Sequence, residues 1–204
     1  MRLKLIITSL AVLLSVSGQS NGQTTKNAVN YLGIPGPVSL QNNVFKLAWS
    51  SHPEATFFKQ EYLAGDDAFP KYKSMITIDF VVTDSKIDQA VKRKIQELDQ
   101  LRKTNFDVNF EVISNAATGE KMIDCLIVQT AQDEQNSLAE RDVFRYKPVK
   151  AKSGEQGILL LAVSTRKYGK EIKPFLLKLK TDRPVLVKEV AQFPIPALNI
   201  SKQY

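Results

Sequence analysis

Apolar and polar residues alternate most regularly between Ser74 and Thr83. Ile76, Ile78, Phe80 and Val82 fall on one side and Thr77 and Asp79 on the other, the period of two that marks a half-buried strand. The next segment changes period. Ile87, Val91, Ile95, Leu98 and Leu101 recur at helical spacing, so the pattern predicts an amphipathic helix. Asp84 or Ser85 stands ready to cap it, and Arg102 and Lys103 follow in its last turn, where cations favour the helix dipole. Lys92, Arg93, Gln96, Glu97 and Gln100 form its polar face.

Further strands are predicted on both sides of this pair. Asn43 to Ser50 and Thr56 to Leu63 are rich in aromatic and β-branched residues, with Ser51-His52-Pro53-Glu54 as the turn between them. Phe106 to Val112 alternates, and Lys121 to Gln129 returns as a nearly continuous apolar run after a turn at Ala116 to Glu120. Asp142 to Lys150 and Gly157 to Thr165 make another pair around Lys152-Ser153-Gly154. Glu171 to Val190 is helical in pattern, but Pro184 predicts two short helices broken at Thr181 to Pro184.

The fold class expected is α+β: an antiparallel sheet of six to seven strands, a helix after the third strand, and helical C-terminal segments covering one face. On that reading Asp79, Asp107, Asn109, Glu111, Arg145 and Lys147 point to the uncovered, solvated face. The order of elements over Val44 to Pro194 resembles the PsbP-like domain, an extracytoplasmic α+β fold. The resemblance rests on layout alone. It implies an accessory, non-enzymatic role in assembling or stabilising something larger, and it carries no site residue with it.

The N-terminus changes the picture of where such a domain works. Arg2 and Lys4 precede an apolar run, Leu5 to Val16, and small residues follow at Ser15, Ser17, Gly18 and Ser20. This is the layout of a secretory signal peptide over residues 1–20, cut near Ser17. The apolar run is about 12 residues, too short for a membrane-spanning helix. Residues 21–37 read as a flexible lead-in, and residues 38–204 as one domain acting in the periplasm or outside the cell. A lone cysteine, Cys125, excludes an internal disulfide and the disulfide-framed folds.

Charge is unevenly spread. The chain carries +7, and loss of Arg2 and Lys4 with the leader leaves +5. Arg145 to Lys173 alone carries +6, leaving the remainder of the mature chain at −1. Within that tract Arg145, Lys147, Lys150, Lys152, Arg166, Lys167 and Lys170 are the candidate contacts to an anionic partner, with Tyr146 and Tyr168 interleaved. For an exported protein the expected partner is an acidic polymer, an anionic lipid surface or an acidic protein, and not nucleic acid. The opposing reading is a solvated strand pair whose lysines discourage edge pairing.

Catalytic chemistry finds little support in the sequence. His52 is the only histidine, and Ser50 and Ser51 beside it are too close in sequence to align with its ring. It reads as a turn residue beside Trp49. Cys125 alternates with Ile123 and Ile127, as a core cysteine does. One histidine and one cysteine cannot build the usual zinc sites. Asp66, Asp67 and Asp79 lack the spacing of a calcium loop, so no metal or cofactor is expected. The leading expectation is a non-catalytic envelope protein that binds an anionic partner or another protein. The alternatives are an envelope-polymer hydrolase using surface carboxylates such as Asp107 and Glu111, or a carrier with an apolar cavity between sheet and helices.

Overall fold

A computed structural model describes residues 28–200. It contains strands β1 (Val38–Leu40), β2 (Asn43–Glu54), β3 (Phe57–Ala64) and β4 (Ser74–Val82). Helix α1 (Ile87–Leu101) follows, then β5 (Phe106–Ser114), β6 (Lys121–Gln129), β7 (Leu138–Lys150) and β8 (Gln156–Tyr168), and finally α2 (Ile172–Gln192). All eight strands join one antiparallel sheet, ordered β1-β2-β3-β4-β8-β7-β6-β5 and curled into a half-barrel. Two meanders make it. The first runs outside to centre as β1 to β4. Helix α1 then carries the chain to the far edge, and the second meander returns inward until β8 pairs with β4.

This corrects the expected architecture in two ways. The sheet has eight strands, with the helix after the fourth. The missed strand, β1, has only three residues, too few to display a period. It turns into β2 through Gln41 and Asn42, both at positive φ (52° and 60°), without the glycine that usually announces such a hairpin. The second correction concerns layers. The two helices do not share a face. On β8, Ile158, Leu160 and Ala162 pack with Val91 and Leu98 of α1, while Leu159, Leu161 and Val163 pack with Leu186 and Val190 of α2. A strand covered on both faces has no polar side to show, which is why β8 reads as an unbroken apolar run.

The polar teeth are redistributed accordingly. Asp79 faces α1 and is 1% exposed, and Arg145 faces α2 and is 6% exposed, so neither lies on a solvated face. Only Asp107, Asn109 and Glu111 on the outer strand β5 are exposed, with Lys147 half-buried.

Two prolines are absorbed where breaks were expected. β2 runs on through His52 and Pro53 to Glu54, because a register shift between Ser51 and Glu54 relieves Pro53 of a ladder bond. Helix α2 runs unbroken across Pro184. Arg141 Nη2 donates to the Arg183 carbonyl at 2.6 Å, and Arg145 Nη1 donates to the carbonyls of Val190 (3.0 Å) and Phe193 (2.8 Å) at the helix end. Sheet arginines thus satisfy carbonyls of a helix whose inner stripe, Leu186 and Val190, is held in the core.

The described part of the lead-in, 28–37, packs on the domain through two residues. Leu32 and Ile34 are buried, Leu32 N donates to Gln60 Oε1 (2.7 Å), and Asn199 N donates to the Leu32 carbonyl (2.9 Å). Gly33 sits against Asn199 at φ +61°, where an added Cβ would lie 2.7 Å from the Asn199 carbonyl oxygen. The signal-peptide segment lies outside the described residues.

Candidate functional site

The β7–β8 register decides what the basic tract can do. Lys150 pairs opposite Gln156 at one end of the hairpin, and Glu140 pairs opposite Arg166 at the other. Ten strand residues separate these rungs, about 33 Å. Lys150 and Lys152 are exposed near the turn, and Lys147 is half-buried close by. Lys167 and Lys170 belong to the opposite end, with Lys170 exposed and Lys167 half-buried. The two arginines are not at the surface. Arg145 Nε pairs with Glu120 Oε2 at 2.7 Å, and Lys147 Nζ reaches the other oxygen at 3.3 Å. Partial burial pulls the Glu120 carboxyl upward, but these two cations hold it below its ordinary value. Arg166 Nη2 donates to Glu140 Oε2 at 3.1 Å, while Nε lies 3.0 Å from Oε1 at an angle too bent for a hydrogen bond. Its guanidinium stacks 4.0 Å over the Tyr72 ring. The seven residues therefore divide between two distant ends and two buried ion pairs.

Between the sheet and α1 lies a dense set of ionisable groups. Lys59 and Glu61 come from β3, Asp79 from β4, Lys94 from α1, Glu140 and Asp142 from β7, and Arg166 from β8. All are buried. Lys59 pairs with Glu61 at 3.0 Å and Lys94 with Glu97 at 2.6 Å. Neither oxygen of Asp79 has a hydrogen-bond partner. Burial pushes its carboxyl up to about 6, against the pull of Lys59 and Lys94. Asp142 is also pushed well up, by burial and then by Glu140, despite the Ser164 hydroxyl and Arg166. Burial alone would lower Lys59, but Asp79 and Glu61 raise it. Two acids with raised pKa values beside a tyrosine and a lysine have the chemistry of proton transfer. The space beside Asp142 is about 40 Å³ and that beside Asp79 about 30 Å³, room for a water or two each and not for a substrate.

The single cysteine is fully buried and the single histidine half-buried. Burial followed by Asp142 and Asp124 pushes the Cys125 thiol up, away from the reactive thiolate. His52 lies in β2, stacked on Phe58 with centroids 4.1 Å apart and tilted against Tyr31, with Nδ1 3.0 Å from the Phe57 carbonyl oxygen. It packs on these rings within a strand, where a turn had been expected. Asp67 Oδ2 accepts from the backbone N–H groups of Lys73 (2.8 Å) and Ser74 (2.9 Å), closing its own loop. Asp107 and Glu111 are four residues apart on an edge strand, about 13 Å, beyond the roughly 6.5–9.5 Å of an inverting glycosidase pair. Among the described residues no group of three or more His, Cys, Asp or Glu could hold a metal ion.

A broad recess lies on the other face. Helix α2 packs on β7 and β8 and reaches β6 through Asp124, and an open groove of about 860 Å³ lies between it and the outer strand β5. Leu126 and Ile113 lie along its floor, and Leu176, Leu179 and Val187 along the helix wall. Midway, Asp124 Oδ1 accepts from Arg141 Nε at 3.0 Å while Oδ2 pairs with Arg183. Lys180 and Lys188 stand exposed on the helix wall and make no ion pair among the described residues. On the outer side of the same helix Leu177 and Val185 are 56% and 52% exposed.

A protein-family model matches residues 32–195. The chain belongs to that family. Its function is unknown, so membership adds no substrate or partner. No curated protein and no solved structure matches the chain. Among the described residues no helix is long and apolar enough to cross a membrane.

Sequence reasoning missed both features that the geometry brings forward. Lys94 had a signal: it stands in the apolar stripe between Val91 and Leu98, a charged residue at a core position. The groove had none, because it depends on which strands α2 leaves bare.

Proposed function

We propose that this family member is a non-catalytic binding protein that works after export and engages an anionic partner along α2. One observation carries the reading: an open recess of about 860 Å³ is flanked by α2 lysines that form no ion pair among the described residues, whereas the Asp79 and Asp142 carboxyls and the Cys125 thiol are packed away. The accessory role implied by the PsbP-like resemblance agrees with it. Unpaired lysines beside exposed aliphatic residues attract an acidic surface with strong salt dependence, because exposed charges are screened within about 8 Å at physiological ionic strength.

Equilibrium binding to dextran sulfate at low salt tests it. Lys180→Gln with Lys188→Gln should weaken binding about tenfold, at about 0.7 kcal/mol for each exposed contact. Lys150→Gln with Lys152→Gln at the hairpin turn should leave it within a factor of two. A wild type that does not bind, or a loss confined to the hairpin variant, would refute the assignment to α2.

A further inference from the structure

We infer that the groove between α2 and the β5–β6 edge receives an extended acidic polypeptide segment of five or six residues. The inference rests on the α2 reading above and adds the class of partner.

Its length follows from the helix. Leu176 to Lys188 spans about 18 Å of α2 at 1.5 Å per residue. An extended chain rises about 3.3 Å per residue, so five or six residues fill that span.

The order of side chains along the groove argues against other occupants. Arg141, opposite Leu126, bonds to the Arg183 carbonyl; Arg145, opposite Met122, bonds to that of Val190. Helix and strand β7 therefore run the same way, with Leu176 and Leu179 towards the Leu126 end. Ile113 also pairs opposite Met122, which puts Val187 towards the Ile113 end. Two aliphatic patches are thus separated by the Asp124–Arg141–Arg183 ion cluster. A fatty-acyl chain would have to cross that cluster, leaving charges desolvated. A sugar polymer would find no aromatic ring among the groove residues to stack on. A peptide has both aliphatic side chains for the ends and carboxylates for the centre.

Charge sets the sign of the partner. Arg141 and Asp124 are buried and paired with each other. Arg183 shares Asp124 but keeps 39% of its side chain exposed, and Lys180 and Lys188 flank it without ion pairs among the described residues. Against these three cations, the outer strand supplies only Glu111.

Fluorescence anisotropy with fluorescein-labelled hexapeptides tests the inference. A Glu-Leu alternating peptide should bind at low salt, and a Lys-Leu alternating peptide should not. Lys180→Glu with Lys188→Glu should weaken the Glu-Leu peptide at least tenfold. Leu126→Trp fills the floor without touching α2 charges; it should weaken the peptide at least tenfold and leave dextran sulfate binding unchanged. Ile113→Trp, which fills the groove at its other end without adding charge, serves as a second variant with the same expectation should Leu126→Trp fail to fold. If dextran sulfate binds through the α2 lysines but the hexapeptide does not bind, the peptide inference falls and the α2 reading stands. If neither binds, both fall. Displacement of the peptide by dodecanoate at micromolar concentration would overturn the choice of occupant in favour of an acyl chain.

Discussion

Replacing Asp79 by asparagine should make the protein more stable at neutral pH and remove part of its pH dependence. Asp79 is 1% exposed, and neither of its oxygens is hydrogen-bonded. Lys59 and Glu61 face it from β3 and Lys94 from α1, and the two lysines do not outweigh the cost of burial. Its carboxyl stands at about 6 in the folded protein against an ordinary 3.8. A raised acid pKa means that the folded state holds the proton more tightly than the unfolded state. Its stability is therefore fully present below about pH 3.8 and is lost as pH rises to about 6. At about 1.4 kcal/mol per pH unit, the loss reaches about 3 kcal/mol by pH 7. Asparagine keeps the shape and cannot ionise. Urea unfolding from pH 3.5 to 8 should give a wild-type-minus-variant difference near zero at the acid end. At pH 8 the variant should be more stable by up to about 3 kcal/mol, less whatever Lys59 loses with its counter-charge. Asp142 shifts stability in the same direction, so the difference between the two proteins, not either curve alone, isolates Asp79. A variant less stable than wild type at pH 8, or a difference that does not change with pH, would refute the argument.

Arg166→Gln should destabilise the fold by about 3–5 kcal/mol in urea unfolding, because it strands Glu140 in a buried site. Lys150→Gln, at an exposed position of the same basic tract, should stay within about 0.5 kcal/mol. Cys125 should resist thiol reagents at neutral pH in the folded protein and react fully in denaturant, read by mass shift. Mass spectrometry of protein recovered from its native host should find an N-terminus between Gly18 and Thr24; an intact Met1 in the mature pool would sink the export reading.

The order of strands and helices was largely visible because each carries its own period. The stripe Ile87 to Leu101 and the alternation in Ser74 to Thr83 report local burial, and β6 falls on Lys121–Gln129, the range its apolar run predicts. What the pattern cannot report is which layer a face meets. Thr77 and Asp79 look the same whether water or a helix covers them, and here α1 covers them. The basic tract failed as a cluster for a related reason. Charge along a sequence is summed without regard to register, and the β7–β8 pairing sends its members to opposite ends. Arg145 and Arg166 show the further point that a polar tooth on a strand can be a buried one, once Glu120 and Glu140 are placed to meet it. Pro184 misled in the other direction: the helix runs on across it, with Leu186 and Val190 held in the core just beyond.

The meeting of Leu32 with Asn199 fixes when, as well as where, this chain can close. A ribosome releases the first of these residues long before the second. β4, the inner strand of the first meander, likewise waits for β8, the last strand, before it gains its second neighbour. During synthesis the N-terminal half is therefore a sheet with an open central edge and an unfilled place in its core. Completion waits for the segment that carries Asn199. The cost is an exposed strand edge throughout that interval, the condition under which a chain is most dependent on being shielded from its own kind.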